Sequence, residues 1–362
     1  MKITRISANY FQIPAHREMR DAVRHFSRLD LVLARVETND DVSGLGFTYS
    51  VFHHGAREIA SFINHSLNEL ATGHDPRNHE ALWHRMWRST DWVARGGIAY
   101  LALAAVDIAL WDIKSKLANM PLYRLLGGYR DRVPAYNTDG GWLNHTIEQL
   151  VEETRQIVAA GFHGTKIKVG KEDPMEDRER IAAVREVMGP HRRLMVDANE
   201  GFTAAEAIRH AQMWEDLNLF WFEEPLAPED VSGHAQLKAH TSIPIAVGEN
   251  LHTRQQFKEY IAADAVSIVQ PDVCRAGGIT EWLKIAQLAD CHGLQVSPHF
   301  VMELHLPLVA AIPNGLWVEY IPALNNALRA PWRFEDGYFR PSEEPGLAIP
   351  WDFEKLERYK AA

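Results

Sequence analysis

Thr165-Lys166-Ile167-Lys168-Val169, then Leu194-Met195-Val196-Asp197, Phe220-Trp221-Phe222-Glu223 and Ile245-Ala246-Val247-Gly248-Glu249, are the stretches of this sequence that decide its fold. Each run is short; the first alternates lysines with apolar residues, the other three are mostly apolar, and each carries a charged side chain at or near its end. Continuous apolar runs of this length suit strands buried on both faces, as in a parallel sheet. Working outward, the same rhythm begins at 133–137 and continues at 266–270, 294–297 and 316–319, which makes eight runs. Helical patterns near 145–160, 174–188, 203–217, 253–262, 278–292 and 303–311 separate them. Eight strands joined in this way predict a closed parallel α/β barrel rather than an open sheet.

The residues before the barrel read differently. Residues 3–10 alternate as a strand does, and runs at 31–37 and 42–48 meet through Thr38-Asn39-Asp40-Asp41, a hairpin signal. Helical patterns follow at 56–70, 79–88 and 97–118, the last ending before Pro121 and Gly127-Gly128. Residues 1–125 therefore read as an α+β unit, and 126–320 as the barrel. The Pro-rich, aromatic tail 321–362 is expected to pack back on the first unit.

Bulk properties narrow the function. A formal net charge of -10 argues against a nucleic-acid partner held through phosphate contacts. Cys274 and Cys291 form neither a metal-ligand spacing nor a disulfide framework, which suits a reducing compartment. Met1-Lys2-Ile3-Thr4-Arg5 leads into no long apolar run, and no stretch of about 18 apolar residues exists. A cytoplasmic protein without a membrane partner is expected.

The strand ends carry Lys166 and Lys168, then Asp197, Glu223, Glu249, Asp272, His299 and Glu319, at steps of 20 to 29 residues from Lys168 onward. In a parallel barrel these positions converge on one mouth, where active sites of that fold sit. A single carboxylate at such a place is an ordinary loop residue. Three of them, Asp197, Glu223 and Glu249, cannot crowd together as bare anions. A divalent cation resolves the conflict, and all-oxygen ligation favours a hard ion, Mg²⁺ or alternatively Mn²⁺. No organic cofactor is expected. Lys166 and Lys168 alternate onto one face, where two neighbouring ammonium groups lower each other's pKa and supply a base. Asp272 orienting His299 would make a second acid or base. Glu319 reads either as a protonated hydrogen-bond donor or as a buried ion-pair partner. Metal, ammonium and acid together suit removal of a proton α to a carboxylate, because the resulting enediolate carries two negative charges.

The set Lys166-Ile167-Lys168, Asp197-Ala198-Asn199, Glu223-Glu224-Pro225, Gly248-Glu249-Asn250, Gln270-Pro271-Asp272 with Gly277-Gly278, and Pro298-His299 resembles the mandelate racemase subgroup of the enolase superfamily. The resemblance spans essentially the whole chain. It implies an α+β capping domain over a (β/α)7β barrel, with Mg²⁺ on Asp197, Glu223 and Glu249. It further implies bases on two faces, Lys168 on one and His299 with Asp272 on the other. Lys166 and Glu319 would hold the substrate carboxylate, and Asn199 would lie near substrate. Within the subgroup, Gly44-Leu45-Gly46-Phe47-Thr48-Tyr49-Ser50, Tyr136-Asn137-Thr138-Asp139-Gly140-Gly141 and Pro298-His299-Phe300-Val301-Met302-Glu303-Leu304-His305 are similar to talarate/galactarate dehydratases. That implies loss of water from an acid sugar to give a 2-keto-3-deoxy acid.

Specificity is expected from loops of the first unit. Residues 15–25 offer Arg17, Arg20, Arg24 and His25, whose arginines suit a distal carboxylate. Residues 49–55 offer Tyr49 and His53. The expected partner is a small-molecule carboxylate, and the expected assembly a homo-oligomer, from dimer to octamer. Two other readings stand beside the dehydratase: a racemase or epimerase, since bases on both faces permit inversion, and a catalytically silent metal-binding scaffold.

Overall fold

The computed structural model describes residues 1–51 and 54–361. A three-stranded antiparallel sheet, β1 (Ile3–Arg20), β2 (His25–Thr38) and β3 (Ser43–Ser50), opens the chain in the order β1-β2-β3. The helices α1 (Ala56–Phe62), α2 (Asn68–Ala71), α3 (His79–Thr90) and α4 (Ile98–Leu117) follow, with a π-helical turn at Ile63–Leu67 between the first two. Helix α4 is buried on nearly all sides because it lies under this sheet and also meets the barrel. Its Ala-rich surface lets β3 approach closely. It ends at Asn119, which takes a positive φ of 49° ahead of Pro121. A short helix, α5 (Leu122–Leu125), leads to the barrel.

Barrel strands β4 (Val133–Asn137), β5 (Gly164–Lys168), β6 (Arg193–Asp197), β7 (Leu219–Glu223), β8 (Ile245–Val247), β9 (Ile268–Val269), β10 (Gln295–Val296) and β11 (Val318–Tyr320) alternate with α6 (Ile147–Ala159), α7 (Pro174–Met188), α8 (Ala204–Trp214), α9 (Val231–Ala239), α10 (Arg254–Ala262), α11 (Ile279–Cys291) and α12 (Met302–Ala311). Neighbouring strands from β4 to β10 pair in parallel, and β11 pairs with β4. A parallel bridge between Val296 and Gly315 closes the ring, giving a (β/α)7β barrel. The helix starts are written locally. Thr146, Thr203 and Thr253 each form a capping box with Gln149, Glu206 and Gln256, while Asp173 caps α7 with Pro174 in its first turn.

Two regions depart from the sequence expectation. Residues 15–25 were expected as a loop, but β1 and β2 continue through them as a long hairpin, with an irregularity between Pro14 and Met19. Asp21 closes its tip by accepting from the backbone N–H groups of Val23 and Arg24. The charged residues of the bulged stretch hide the strand alternation. In the tail, Lys360 bridges to Phe11, and α13 (Phe353–Tyr359) lies against β1. The tail also extends the barrel sheet, because the hairpin of β12 (Phe334–Glu335) and β13 (Tyr338–Phe339) pairs with the start of β4. Among the described residues, no helix is long and apolar enough to cross a membrane.

Candidate active site and metal centre

Parallel pairing brings the ends of successive strands into register, with Lys168 opposite Asp197 and Asp197 opposite Glu223. Asp197, Glu223 and Glu249 each offer one oxygen, and the three oxygens lie within 4.8 Å of one another. Trp221 Nε1 and Gln270 Nε2 donate to Glu223 Oε2 at 2.8 and 2.7 Å and fix its orientation. Asn199 N–H donates to Asp197 Oδ1 at 2.9 Å. Glu249 Oε2 and Asn199 Oδ1 are buried and accept no hydrogen bond among the described residues. Buried acceptors left without a donor mark a place for a cation or an ordered ligand. Three hard oxygens with a spare acceptor fit a dication such as Mg²⁺.

The lysines sit inside this acidic cluster. Lys168 Nζ is 2.5 Å from Asp197 Oδ2. Lys166 Nζ donates to Glu223 and lies 2.9 Å from Glu319 and 3.3 Å from Asp197. The charges compete. Burial is the largest influence on Glu223 and pushes its carboxyl up to about 8, against the pull of Lys166. Burial also opposes the charge on Glu319, but Lys166, His299 and Lys168 bring it down to about 2. Glu319 pairs with Lys166 in this arrangement, and Thr138 Oγ1 and Phe300 N–H complete its hydrogen bonds at 2.6 and 2.7 Å. The expected lowering of Lys168 by its neighbour Lys166 is present in the chain by itself, but it is outweighed. Burial and Lys166 do act in that direction on Lys168, but Asp197, Glu249 and Asp21 outweigh them and raise it.

His299 faces the same cavity as Lys168, Asn199, Glu249 and Glu319. Its Nδ1–H donates to Asp272 Oδ2 at 2.9 Å, which leaves Nε2 at 3.5 Å from Glu249. Burial opposes a charge on His299, yet Glu249, Asp272 and Glu319 hold its pKa above the ordinary value. Tyr49 was expected to face substrate. It lines the cavity, but its hydroxyl donates to Asp272 Oδ2, so the pair is a triad of Tyr49, Asp272 and His299.

The hairpin tip covers the mouth and contributes Asp21, Arg24 and Arg28 to the cavity wall. Arg24 reaches Glu200 of the barrel at 3.4 Å, and Arg28 pairs with Asp30 at 2.8 Å. Arg17 is drawn elsewhere, to Glu153 at 2.9 Å and Asp139 at 3.5 Å. Arg20 and His25 face each other across the two strands and are exposed, outside the cavity lining. His53 lies outside the described residues. Sequence reasoning missed Asp21, whose inward position follows from alternation with exposed Arg20, and Trp142, whose ring lies 5.6 Å from Lys168 Nζ.

Known proteins match on both counts. Residues 6–127 match the mandelate racemase / muconate lactonizing enzyme N-terminal domain, and 149–356 the enolase C-terminal domain-like family. The chain belongs to the mandelate racemase branch of the enolase superfamily. Among relatives in this superfamily, L-talarate/galactarate dehydratase of Salmonella typhimurium is 39% identical over 88% of this chain and 80% of its own. The 3,6-anhydro-alpha-L-galactonate cycloisomerase of Streptomyces coelicolor is 35% identical over 98% and 99%. A crystal structure of a racemase from Streptomyces coelicolor with bound magnesium superposes with a TM-score of 0.95 at 34% identity, covering 99% and 100%.

Proposed function

We propose that this enolase-superfamily enzyme removes the proton α to the carboxylate of an acid sugar and expels the 3-hydroxyl, giving a 2-keto-3-deoxy acid. One observation carries the reading: Lys168 and the Asp272-held His299 enter one cavity from strands that β4 and β11 separate, beside the three-carboxylate cluster. Two proton carriers suit a reaction that takes a proton from one carbon and gives one to an oxygen on the next.

In this reading Asp197, Glu223 and Glu249 hold Mg²⁺, with Mn²⁺ as the alternative. An ion held there would supply positive charge at the substrate carboxylate. Lys166, fixed by Glu319, adds a second positive charge at the carboxylate. Lys168 takes the α proton from one side. His299, with Nδ1 committed to Asp272, presents Nε2 to protonate the departing hydroxyl. Asn199 orients the substrate through its spare amide oxygen. The first unit, residues 1–125 with the tail 321–362, covers barrel residues 126–320 and excludes water through the hairpin tip. Arg24 and Arg28 are cap cations at the cavity, Arg28 already paired with Asp30.

The test is a screen of mono- and dicarboxylic acid sugars with added Mg²⁺ for 2-keto-3-deoxy product. Formation of that product from at least one acid sugar is expected. Deuterium exchange at the α carbon without elimination would instead favour a racemase or epimerase. Tight Mg²⁺ binding with neither exchange nor turnover would leave only a metal-binding scaffold.

A further inference from the structure

His305 is fully buried in the first turns of α12 and touches neither the cavity nor the carboxylate cluster. Both of its ring nitrogens are nonetheless committed. The backbone N–H of Val273 points at Nε2 at 3.0 Å, and the carbonyl of Phe300 lies 2.9 Å from Nδ1. A backbone N–H only donates and a carbonyl only accepts. The imidazole must therefore be neutral, with its proton on Nδ1. Burial, the dominant influence, pulls its pKa down to about 4 and keeps it in that form.

The two anchored residues are the ones that follow the dyad. Val273 comes directly after Asp272, and Phe300 directly after His299. They belong to different strand-end loops, after β9 and after β10. Phe300 also holds a positive φ of 55°, a conformation that a bulky side chain adopts only when its surroundings enforce it. Two hydrogen bonds enforce it here, from Phe300 N–H to Glu319 and from His305 to the Phe300 carbonyl.

We propose that His305 is a positioning residue that clamps the Asp272 loop to the His299 loop and so sets the Asp272–His299 contact and the aim of His299 into the cavity. The proposal rests on the reading of His299 as a proton carrier. It adds that this carrier is placed by a second, neutral histidine acting through backbone groups on both sides.

Three substitutions separate the arms. His305→Phe fills the space and removes both bonds. His305→Gln sets an amide oxygen near Nε2 and keeps the Val273 arm, while His305→Asn sets an amide nitrogen near Nδ1 and keeps the Phe300 arm. The full-length, Mg²⁺-loaded protein is assayed on an acid sugar that the wild type converts, with thermal melting to confirm folding. Misplacing a catalytic group by about 1 Å costs on the order of 100-fold, so kcat should fall about 10- to 100-fold in His305→Phe with KM nearly constant. The single-arm variants should be intermediate. If His305 acts through His299, His305→Phe adds no further loss to solvent-deuterium exchange at the α carbon in a His299→Asn background. Additive losses, or wild-type kcat in a folded variant, overturn the proposal, and if His305→Phe does not fold, His305→Gln and His305→Asn decide it. A crystal structure of a folded variant gives a readout independent of substrate: His299 still at 2.9 Å from Asp272 in the absence of either arm overturns the clamp. Failure of the wild type to convert any acid sugar strikes at the proposed reaction instead, and the crystal structure then tests the clamp by itself.

Discussion

Asp107, on the cap helix α4, caps a helix of the barrel: its carboxylate accepts from Thr280 N–H at 2.8 Å and from Thr280 Oγ1 at 2.6 Å. Thr280 is the second residue of α11, whose own N-cap, Gly278, has no side chain to offer. Gly278 is needed there twice over. Its φ is 99°, and an added Cβ would stand 2.5 Å from Asp107 Oδ2. The capping group that α11 lacks locally is thus supplied across the two units. Trp111, one turn along α4, donates to the same Thr280 hydroxyl at 2.9 Å. The loop carrying Asp272 runs straight into α11, so this junction ties the cap to the catalytic side of the barrel.

The junction should make stability depend on pH. Burial lifts the Asp107 carboxyl from 3.8 to about 7 against the two Thr280 bonds. The folded state then binds the proton more tightly than the unfolded state does. Stability is full below the unfolded pKa and falls as pH rises towards 7, by up to about 4 kcal/mol, and changes no further above that. Asp107→Asn keeps a donor and an acceptor for Thr280 without the charge. In urea denaturation it should match wild type near pH 4 and exceed it near pH 8. Equal midpoints at both pH values would show that Asp107 is not the group responsible.

Metal removal should cost both stability and activity. The three carboxylates repel one another in the folded state, so a dication that binds only there stabilises it. At a concentration of about 100 times Kd the gain is about 2.7 kcal/mol. A chelator should therefore lower Tm and stop turnover, and Mg²⁺ should restore both. Glu249→Gln should lose most of the Mg²⁺-induced rise in Tm. Activity that survives exhaustive chelation would remove the metal from the mechanism.

Lys168→Met keeps the length of the side chain and removes the proton carrier. Turnover should drop by about 10²- to 10⁴-fold, the usual contribution of a positioned base. The fold should hold, because Lys166 still lies 3.3 Å from Asp197. Circular dichroism and steady-state kinetics check the two halves. A folded variant with wild-type kcat would take the base role away from Lys168.

The barrel and its carboxylates were legible because their signal is local and repeated: an apolar run, a charged end, a helix, then the same again. The helix starts carry a local signal that the pattern reading did not use, the capping boxes at Thr146, Thr203 and Thr253. Tyr49 was read as a cavity residue, but its partner Asp272 stands 223 residues away and nothing near Tyr49 encodes that bond. Arg17, Arg20, Arg24 and His25 looked equivalent in a charged stretch. Only the hairpin, with its bulge after Pro14, sorts them into Arg24 at the cavity, Arg17 on Asp139 and Glu153, and two exposed residues. Charge competition was also hidden. The pairing of Lys166 with Glu319 depends on distances between strands far apart in sequence.

Tyr49 gives the sharpest test of the dyad. Asp272 is fully buried and accepts from Tyr49, His299 and the backbone N–H of Cys274. Tyr49→Phe removes one donor and leaves the ring, which packs edge-on against Phe300 at 5.0 Å. With one donor fewer, the carboxylate attracts the His299 proton more strongly. The His299 pKa, already raised by Glu249, Asp272 and Glu319 against the effect of burial, should move further up. A more tightly held proton is given to the leaving hydroxyl more slowly, so kcat should fall about 10-fold, the equivalent of one hydrogen bond to a charged group. The pH profile of kcat should shift to higher pH, because His299 stays protonated further into the alkaline range. A loss of rate with no shift in the profile would mean that the Tyr49 hydroxyl only packs, and a shift to lower pH would contradict the polarity assigned to the triad.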